Sequence, residues 1–201
     1  MISSICNKGF QQCVKEYHEH NNVDAPLVNP FDNGTIQHLF YRKNFIDTVQ
    51  WHLEDIVRDP NIDPVSGLEL KRRIDRSNQE RTDLVEQIDD YFLLQYKDVS
   101  VNDIATINTE SPAWAIDRLS ILVLKIWHMR EEVQRSEASE EHRKKCADKL
   151  MILLEQQKDL SRSIDELIND IAAGKKIMKV YRQMKMYNDP ALNPVLYNQK
   201  A

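Results

Sequence analysis

The feature that most constrains the fold is a pair of apolar stripes separated by a short polar turn in the second half of the chain. In both stripes apolar residues recur at alternating spacings of four and three, which is the pattern of a helix packed along its length. The first stripe is Ala115, Leu119, Leu122, Ile126, Met129 and Val133, and the second is Cys146, Leu150, Leu153, Gln157, Leu160, Ile164, Leu167 and Ile171. Because the turn at 136–139 is short, the sequence predicts an antiparallel helical hairpin. Gln157, in the second stripe, is expected to fix the register.

The rest of the chain also reads as helical. The sequence has only four glycines, which disfavours folds with many tight turns between strands. Capping residues and prolines predict helices over about 2–20, 35–59, 63–96, 111–135, 139–174 and 175–187, the fifth ending at Gly174. We therefore expect an all-α, elongated bundle of five or six helices. It should form a single domain over 1–201, with 188–201 as an extended tail.

Composition and charge exclude several classes of protein. The net charge of −5 gives no reason to expect a nucleic-acid partner. The sequence contains no run of about 18 apolar residues, so it predicts no membrane span. The start of the chain lacks the pattern of a signal peptide. Three cysteines without a Cys-x-x-Cys motif are expected to be buried thiols, which favours a reducing, cytoplasmic compartment. No glycine-rich phosphate loop is present, and no cofactor is expected.

The segment "WHLED" at 51–55 places a histidine beside two acids. On a helix His52 and Glu54 project about 160° apart, so a single ion could not bind both unless other helices supplied most of its ligands. A zinc-binding helix places its ligands four residues apart, as in His-Glu-x-x-His. We therefore interpret this segment as a solvated helix side, and the sequence assigns no metal site.

Polar residues interrupt the apolar faces of three predicted helices. The five intruders are Arg42, Asn78, Arg81, Asp117 and His128, with Asp47 as a further candidate. Because a buried charge without a partner is costly, the cations and anions are expected to meet. Two interpretations remain open. One is an internal network that holds the helices in register. The other is a pocket whose arginines bind a carboxylate or a phosphate.

Two further charged segments have a structural interpretation that we prefer. Glu86, Asp89 and Asp90 lie at magnesium-ligand spacings, but no second acidic helix faces them, so they are expected to form a solvated face. The segment 175–187 carries five positive charges interleaved with Met and Tyr. It predicts a docked terminal helix with a solvated basic side, the alternative being contact with an anionic partner.

Three segments resemble a family of uncharacterised, all-helical bacterial proteins known only as a domain of unknown function. They are "LFYRKNFIDTVQWHLEDIVRD", "IDRSNQERTDLVEQID" and "SPAWAIDRLSILVLKIWHMREE". The third is also similar to a second such family with a Ser…Asp-(Lys/Arg)-Leu-(Ser/Thr)-Ile-Leu pattern, matched here by Ser111 and by 117–122. Such families tend to be encoded near glycosyltransferases for surface polysaccharide. The resemblance thus implies a link to glycan assembly, and it brings no catalytic residue.

Two function classes follow. The first is a non-catalytic binding or scaffolding protein, which self-associates or binds a protein partner. The second is a small helical enzyme acting on an anionic or phosphorylated substrate. In that enzyme Arg42 and Arg81 would bind the substrate, and Asp117 or His128 would transfer protons.

Overall fold

The computed structural model describes residues 1–184 and 191–192, and within these residues the fold is all-α, as predicted. Five helices form a bundle: α1 (Ile2–His20), α2 (Ile36–Val57), α3 (Pro64–Gln95), α4 (Pro112–Gln134) and α5 (Glu140–Ala172). At 1.5 Å per residue, α3 and α5 are each roughly 50 Å long.

Four of the five helices begin at a side-chain cap that the sequence predicts or allows. The side chains of Thr35, Asp63, Ser111 and Ser139 each accept a hydrogen bond from the backbone N–H three residues later. Each bond satisfies one of the N–H groups that a helix start leaves without an internal partner. Proline follows two of these caps, at the first position of α3 and of α4, where it loses no helical hydrogen bond.

In the core, α1 packs against α2, α4 and α5. Its buried face carries Cys6, Phe10, Cys13 and Val14, all without exposed surface. These residues meet a cluster of apolar side chains from the other helices, among them Phe40, Val85, Ile88, Phe92, Ile116, Leu119, Leu124 and Ile164. The predicted hairpin of α4 and α5 is confirmed and forms one side of the bundle. All three cysteines are free and buried, as predicted.

A polar layer joins α1 to α5. Gln157 Nε2 donates to Asn7 Oδ1 at 2.7 Å, and Asn7 Nδ2 donates to Ser161 Oγ at 2.9 Å. Near the start of α1, the Ser3 N–H and hydroxyl both donate to the Asp165 carboxylate, at 3.0 and 2.5 Å. The side chain of Gln157 is therefore bonded to α1, which lies outside the predicted α4–α5 hairpin.

The predicted sixth helix is wrong over its described part, because 175–184 is not helical. After α5 the chain runs beside the loop between α3 and α4, where Thr106 and Lys176 form an isolated parallel bridge. Arg182 then reaches α3, with its Nη2 2.5 Å from Asp90 Oδ1 and its Nη1 3.4 Å from Glu86 Oε2. The basic segment thus docks on acidic residues of its own chain. The remainder of the predicted helix, 185–187, lies outside the described residues, as does the predicted tail apart from 191–192.

The expectation of a solvated acidic face on α3 is wrong for Asp89, which is 1% exposed. Its carboxylate accepts from the Ala113 N–H at 3.1 Å and from Ser111 Oγ at 2.6 Å. Asp89 therefore binds the start of α4, where N–H groups without helical partners and the helix dipole both favour a negative charge. No described helix carries an apolar stretch long enough to cross a lipid bilayer.

Candidate functional site

A buried ion-pair cluster of Lys43, Asp47, Arg81 and Asp117 lies where α2, α3 and α4 meet. Lys43 Nζ is 2.5 Å from Asp47 Oδ2 and 2.6 Å from Asp117 Oδ1, and the side chains of Lys43 and Asp47 are fully buried. Arg81 Nε is 2.5 Å from Asp47 Oδ1, and its Nη2 is 3.4 Å from Asp117 Oδ1. Two cations thus neutralise two anions, and this pairing offsets the cost of burying each charge.

Neutral polar groups complete the cluster. Ser120 Oγ donates to Asp47 Oδ2 at 2.6 Å, so both oxygens of this carboxylate are bonded. The side-chain oxygen of Asn78 accepts from Gln50 Nε2 at 2.7 Å and from Arg81 Nη1 at 3.5 Å. Each charged group of the cluster is thus bonded to at least one group of opposite charge, and two neighbouring polar side chains extend the network.

Arg81 is the member of the cluster with the most exposed side chain, at 24%. Burial by itself would lower the pKa of its guanidinium, but attraction by Asp47 and Asp117 outweighs burial and raises the pKa. The guanidinium is therefore held charged and is already bonded on two of its three nitrogens by carboxylates.

A cavity of about 250 Å³ opens beside Arg81. The charged residues on its wall are three acids and two arginines: Asp47, Glu54, Asp55, Arg58 and Arg81. Arg58, like Arg81, is already paired, because its Nη2 lies 3.3 Å from Glu54 Oε2 and its Nη1 3.5 Å from Asp55 Oδ1. The wall is therefore net acidic, which disfavours an anionic ligand.

The structure brings together Asn78, Arg81 and Asp117, three of the five predicted site residues, with the further candidate Asp47, and it adds Lys43. Arg42 lies outside this cluster. It is half-buried, and within the described residues its side chain has no ion pair or hydrogen bond. Its neighbour Lys43 supplies the second cation, since successive helical residues project 100° apart. The signal that could have identified Lys43 is its spacing of four from Asp47, which puts both charges on one side of α2.

His128 also lies outside the ion-pair cluster, in a group of three imidazoles with His18 of α1 and His52 of α2. The centroids of the three rings are 5.2 to 5.3 Å apart pairwise. His52 is half-buried in this group, so the interpretation of its segment as a solvated helix side is wrong at this residue. The group could not be found from the sequence, because its members come from three helices and share no spacing.

Burial lowers the pKa of the His18 imidazole, and the charge of a protonated His128 would lower it further. The pKa of His52 is lowered by burial first and then by both neighbouring histidines. His18 and His52 are accordingly neutral at pH 7, the form in which an imidazole nitrogen can bind a metal ion.

Two groups in the described part of the chain have ligand atoms close enough to share one ion. One is the histidine triad, which we define as His18, His52 and His128. The other lies at the α4–α5 turn and contains Glu132, His142 and Cys146. In this second group His142 Nε2 is 2.7 Å from Glu132 Oε2 and 3.4 Å from Cys146 Sγ, so the nitrogen that an ion would need already has two partners.

Comparison with known proteins agrees with the resemblance inferred from the sequence. A family model described as "Protein of unknown function (DUF4254)" matches residues 37–180, which span α2 to α5 and contain the whole ion-pair cluster. Searches of curated proteins and of solved structures find no significant match. Since the match covers well over half of the 201 residues, the chain belongs to the DUF4254 family of proteins of unknown function.

Proposed function

We propose that this protein is a non-catalytic scaffolding module that binds a second copy of itself through α5. The observation that carries the proposal is the run Leu150–Leu154, in which every residue is apolar. Leu150 and Leu153 are half-buried on the side of Cys146, whereas Met151 and Ile152 are 64% and 58% exposed, and Leu154 is 38% exposed. A helical turn that is apolar on all sides is suited to being covered on both sides.

The charges that flank this run favour a second copy as the occupant. In an antiparallel pair of α5 helices centred on Ile152, residues equally far before and after Ile152 come opposite each other. Lys149 then faces Glu155 of the copy, and Lys145 faces Asp159, with each pair formed twice by symmetry. All four side chains are exposed and lie within about 60° of Ile152 on the helix. The surface is therefore complementary to itself in charge and in apolar character.

The ion-pair cluster supports a non-catalytic role. An enzyme for an anionic substrate needs a cation that can exchange its partner for the substrate. Arg81 and Arg58, the two arginines at the cavity, are both bonded to carboxylates. Releasing Arg81 would leave Asp47, which is fully buried, with one cation fewer. This cost favours the scaffolding hypothesis over the enzyme hypothesis.

The decisive experiment measures the mass of the full-length protein by sedimentation equilibrium over a range of concentrations. We expect a dimer for the natural sequence, and a monomer for Ile152→Glu because a carboxylate would be buried at the centre of the interface. Leu94→Glu is the matched control, since Leu94 is 67% exposed but lies on α3. A natural protein that stays monomeric at all concentrations would refute the proposal, as would an Ile152→Glu variant with unchanged mass.

Charge reversal tests the orientation of the pair. Lys149→Glu and Glu155→Lys should each weaken the dimer, because each opposes like charges at two symmetric positions. The double variant Lys149→Glu/Glu155→Lys should restore dimerisation, as the pairs are re-formed with reversed signs. A double variant that is weaker than either single variant would exclude this antiparallel register.

We further propose that the module acts in the bacterial cytoplasm beside the enzymes of surface-glycan assembly. The support is the resemblance of "SPAWAIDRLSILVLKIWHMREE" to families encoded near glycosyltransferases, together with three free, buried cysteines that suit a reducing compartment. Deletion of the gene in its own host should change the length distribution of surface polysaccharide. Complementation should succeed with the natural gene and with Leu94→Glu, and it should fail with Ile152→Glu. An unchanged polysaccharide after deletion would overturn this assignment.

A further inference from the structure

We propose that the histidine triad, His18, His52 and His128, is a binding site for a divalent transition-metal ion of the zinc class, with the three Nε2 atoms as ligands. The triad lies outside the ion-pair cluster and outside the α5 surface, so the proposal does not depend on the scaffolding function. Its members come from three helices, α1, α2 and α4.

The spacing of the nitrogens fits one ion. His18 Nε2 and His52 Nε2 lie 3.2 Å apart, and the ligand atoms of all three residues lie within 4.8 Å of one another. Two nitrogens bound to one zinc ion at about 2.0–2.1 Å in tetrahedral geometry are separated by roughly 3.4 Å. One pair is therefore already close to ligand spacing, and the ligand atom of the third histidine lies no more than 4.8 Å from either of them.

The hydrogen bonds on the far side of the rings fix which nitrogen is available. His18 Nδ1 lies 2.7 Å from the Val14 carbonyl oxygen, which can only accept, so Nδ1 carries the proton and Nε2 keeps its lone pair. His128 Nδ1 is 2.9 Å from Glu131 Oε2, and the same argument assigns a proton to Nδ1, which in a neutral ring leaves the lone pair on Nε2. A carbonyl behind the His18 ring and a carboxylate behind the His128 ring match the arrangement that orients histidine ligands at metal sites.

One nitrogen of the triad is both buried and without a hydrogen-bond partner among the described residues. His128 Nε2 is buried and accepts no hydrogen bond within the described part of the chain. The other two Nε2 atoms can share one proton between them. Without an ion, His52 Nε2 donates this proton in a hydrogen bond to His18 Nε2, and His128 Nε2 takes no part in the hydrogen bonding. An ion bound by all three lone pairs would satisfy this buried nitrogen and replace the shared proton, which can move to His52 Nδ1.

Aromatic rings hold each imidazole in place. Every ring of the triad is stacked on one aromatic side chain, with centroid distances of 4.9 to 5.2 Å and interplanar angles of 12 to 28°. The stacked pairs are His18 on Trp127, His52 on Tyr17, and His128 on Trp51. Such packing limits ring rotation, so little rotational freedom remains to be lost when an ion binds.

The ligand set selects the class of ion. Three neutral imidazoles suit Zn²⁺, Co²⁺, Ni²⁺ and Cu²⁺, whereas Mg²⁺ and Ca²⁺ prefer oxygen ligands. Glu131 is engaged by His128 and by Trp127 Nε1 at 3.1 Å, so its carboxylate acts behind the ligands. The fourth position of a tetrahedral ion would then be open to water, as in three-histidine sites generally.

The test uses the full-length protein, freed of metal by a chelator and titrated with Co²⁺ while visible absorption is recorded. Co²⁺ absorbs much more strongly in a tetrahedral site than as the hexahydrated ion. We expect one tetrahedral Co²⁺ per chain, displaced by Zn²⁺. His52→Leu and His128→Leu should weaken Zn²⁺ binding by at least about 100-fold, and Glu131→Gln by about 10-fold. The control His38→Leu removes a histidine that lies outside the triad and should bind normally.

Circular dichroism of each variant checks that the helices are intact, and Glu131→Gln serves where a histidine variant does not fold, because Glu131 is 52% exposed. The proposal is overturned if the natural protein takes up no Co²⁺ or Zn²⁺, or if His52→Leu binds as tightly as the natural protein. It is also overturned if uptake is lost in Cys146→Ser instead, with a thiolate-to-cobalt absorption band in the natural protein. That result would place the ion at the α4–α5 turn.

Discussion

Lys43 and Asp117, on adjacent helices, form an ion pair of 2.6 Å whose ammonium group is fully buried. Replacing Lys43 by Met would leave Asp47 and Asp117 with Arg81 as their only cation. We expect the free energy of unfolding to fall by about 3–5 kcal/mol, as measured by urea denaturation. Arg58→Met is the matched control. The ion pairs of Arg58 are on the surface, where its side chain is 66% exposed. Removing its guanidinium should therefore lower the free energy of unfolding by less than about 1 kcal/mol.

The same pair predicts strong coupling between two substitutions. Lys43→Met/Asp117→Leu removes one charge of each sign, so the remaining Asp47 and Arg81 still neutralise each other. The double variant should therefore be more stable than the sum of the two single effects implies, by at least about 1 kcal/mol. Simple additivity of the two effects would contradict the description of this cluster as a neutral network.

We predict that the Asp89 carboxylate, on α3, stabilises the start of α4. In Asp89→Ala the Ala113 N–H and the Ser111 hydroxyl lose a charged acceptor. The expected loss of unfolding free energy is about 2–3 kcal/mol, because hydrogen bonds to charged groups are the stronger ones. Asp83→Ala, at an exposed position of the same helix, should lose less than about 0.5 kcal/mol. Equal losses in thermal or urea unfolding would refute the role of Asp89.

Two glycines form a natural pair for testing the contact between the segment after α5 and the α3–α4 loop. Gly34 and Gly174 both have positive φ, +89° and +67°. A Cβ at Gly34 meets nothing within 4 Å, whereas a Cβ at Gly174 would overlap the carbonyl oxygen of Ser100. Gly34→Ala should cost only the backbone strain, about 1–2 kcal/mol.

Gly174→Ala should cost clearly more than Gly34→Ala, because the chain must also move away from Ser100. Hydrogen exchange should then speed up at the Asn102 and Ile177 amides, whose hydrogen bonds join the two segments at 2.9 and 3.0 Å. Unchanged exchange at both amides would show that the segments do not depend on this close approach.

We predict that ionisation of the Tyr17 phenol lowers the stability of the protein at high pH. Burial raises the pKa of its phenol to about 12, and its hydroxyl has no hydrogen-bond partner within the described residues. The pKa of this phenol in the folded protein lies above its unfolded value of about 10. The stability that the protonated phenol contributes is therefore fully present below pH 10 and is lost as the pH rises through 12. Tyr17→Phe should leave stability at pH 8 unchanged or higher and should reduce the loss between pH 10 and 12. Ultraviolet titration and urea unfolding at each pH measure both effects.

Local signals predicted most of the fold. The caps at Thr35, Asp63, Ser111 and Ser139 act within one turn of the chain, and their effect is therefore readable from neighbouring residues. The α4–α5 hairpin was predictable for the same reason, because its two stripes are joined by a short turn. The segment 175–184 was not, since its conformation depends on partners far away in sequence: Thr106, Glu86 and Asp90.

The ion-pair cluster was predictable in kind and only partly in membership. The principle that buried charges must pair identified Arg81 and Asp117, and Asp47 as a candidate. It named Arg42 instead of Lys43, because the apolar pattern of α2 points to the wrong side of that helix. The buried side of α2 carries Asn44, Asp47 and Thr48 beside Lys43, so polarity is a poor guide to its orientation. The triad depends on tertiary packing alone.

The segment matched by the family model and the folded core of this chain begin at different residues, because α1 lies before the matched segment and belongs to the core. The family match begins at residue 37, yet Phe10 and Val14, which precede it, are fully buried members of the apolar cluster. A shortened chain starting at Ile36 would lose the Phe10 ring, whose centroid lies 6.1 Å from that of Phe40, and would expose Phe40 to water. It would also carry two of the three imidazoles. The segment that the family model matches is thus smaller than the unit on which the fold of this chain depends, because α1 lies before it and contributes Cys6, Phe10 and Val14 to the apolar cluster.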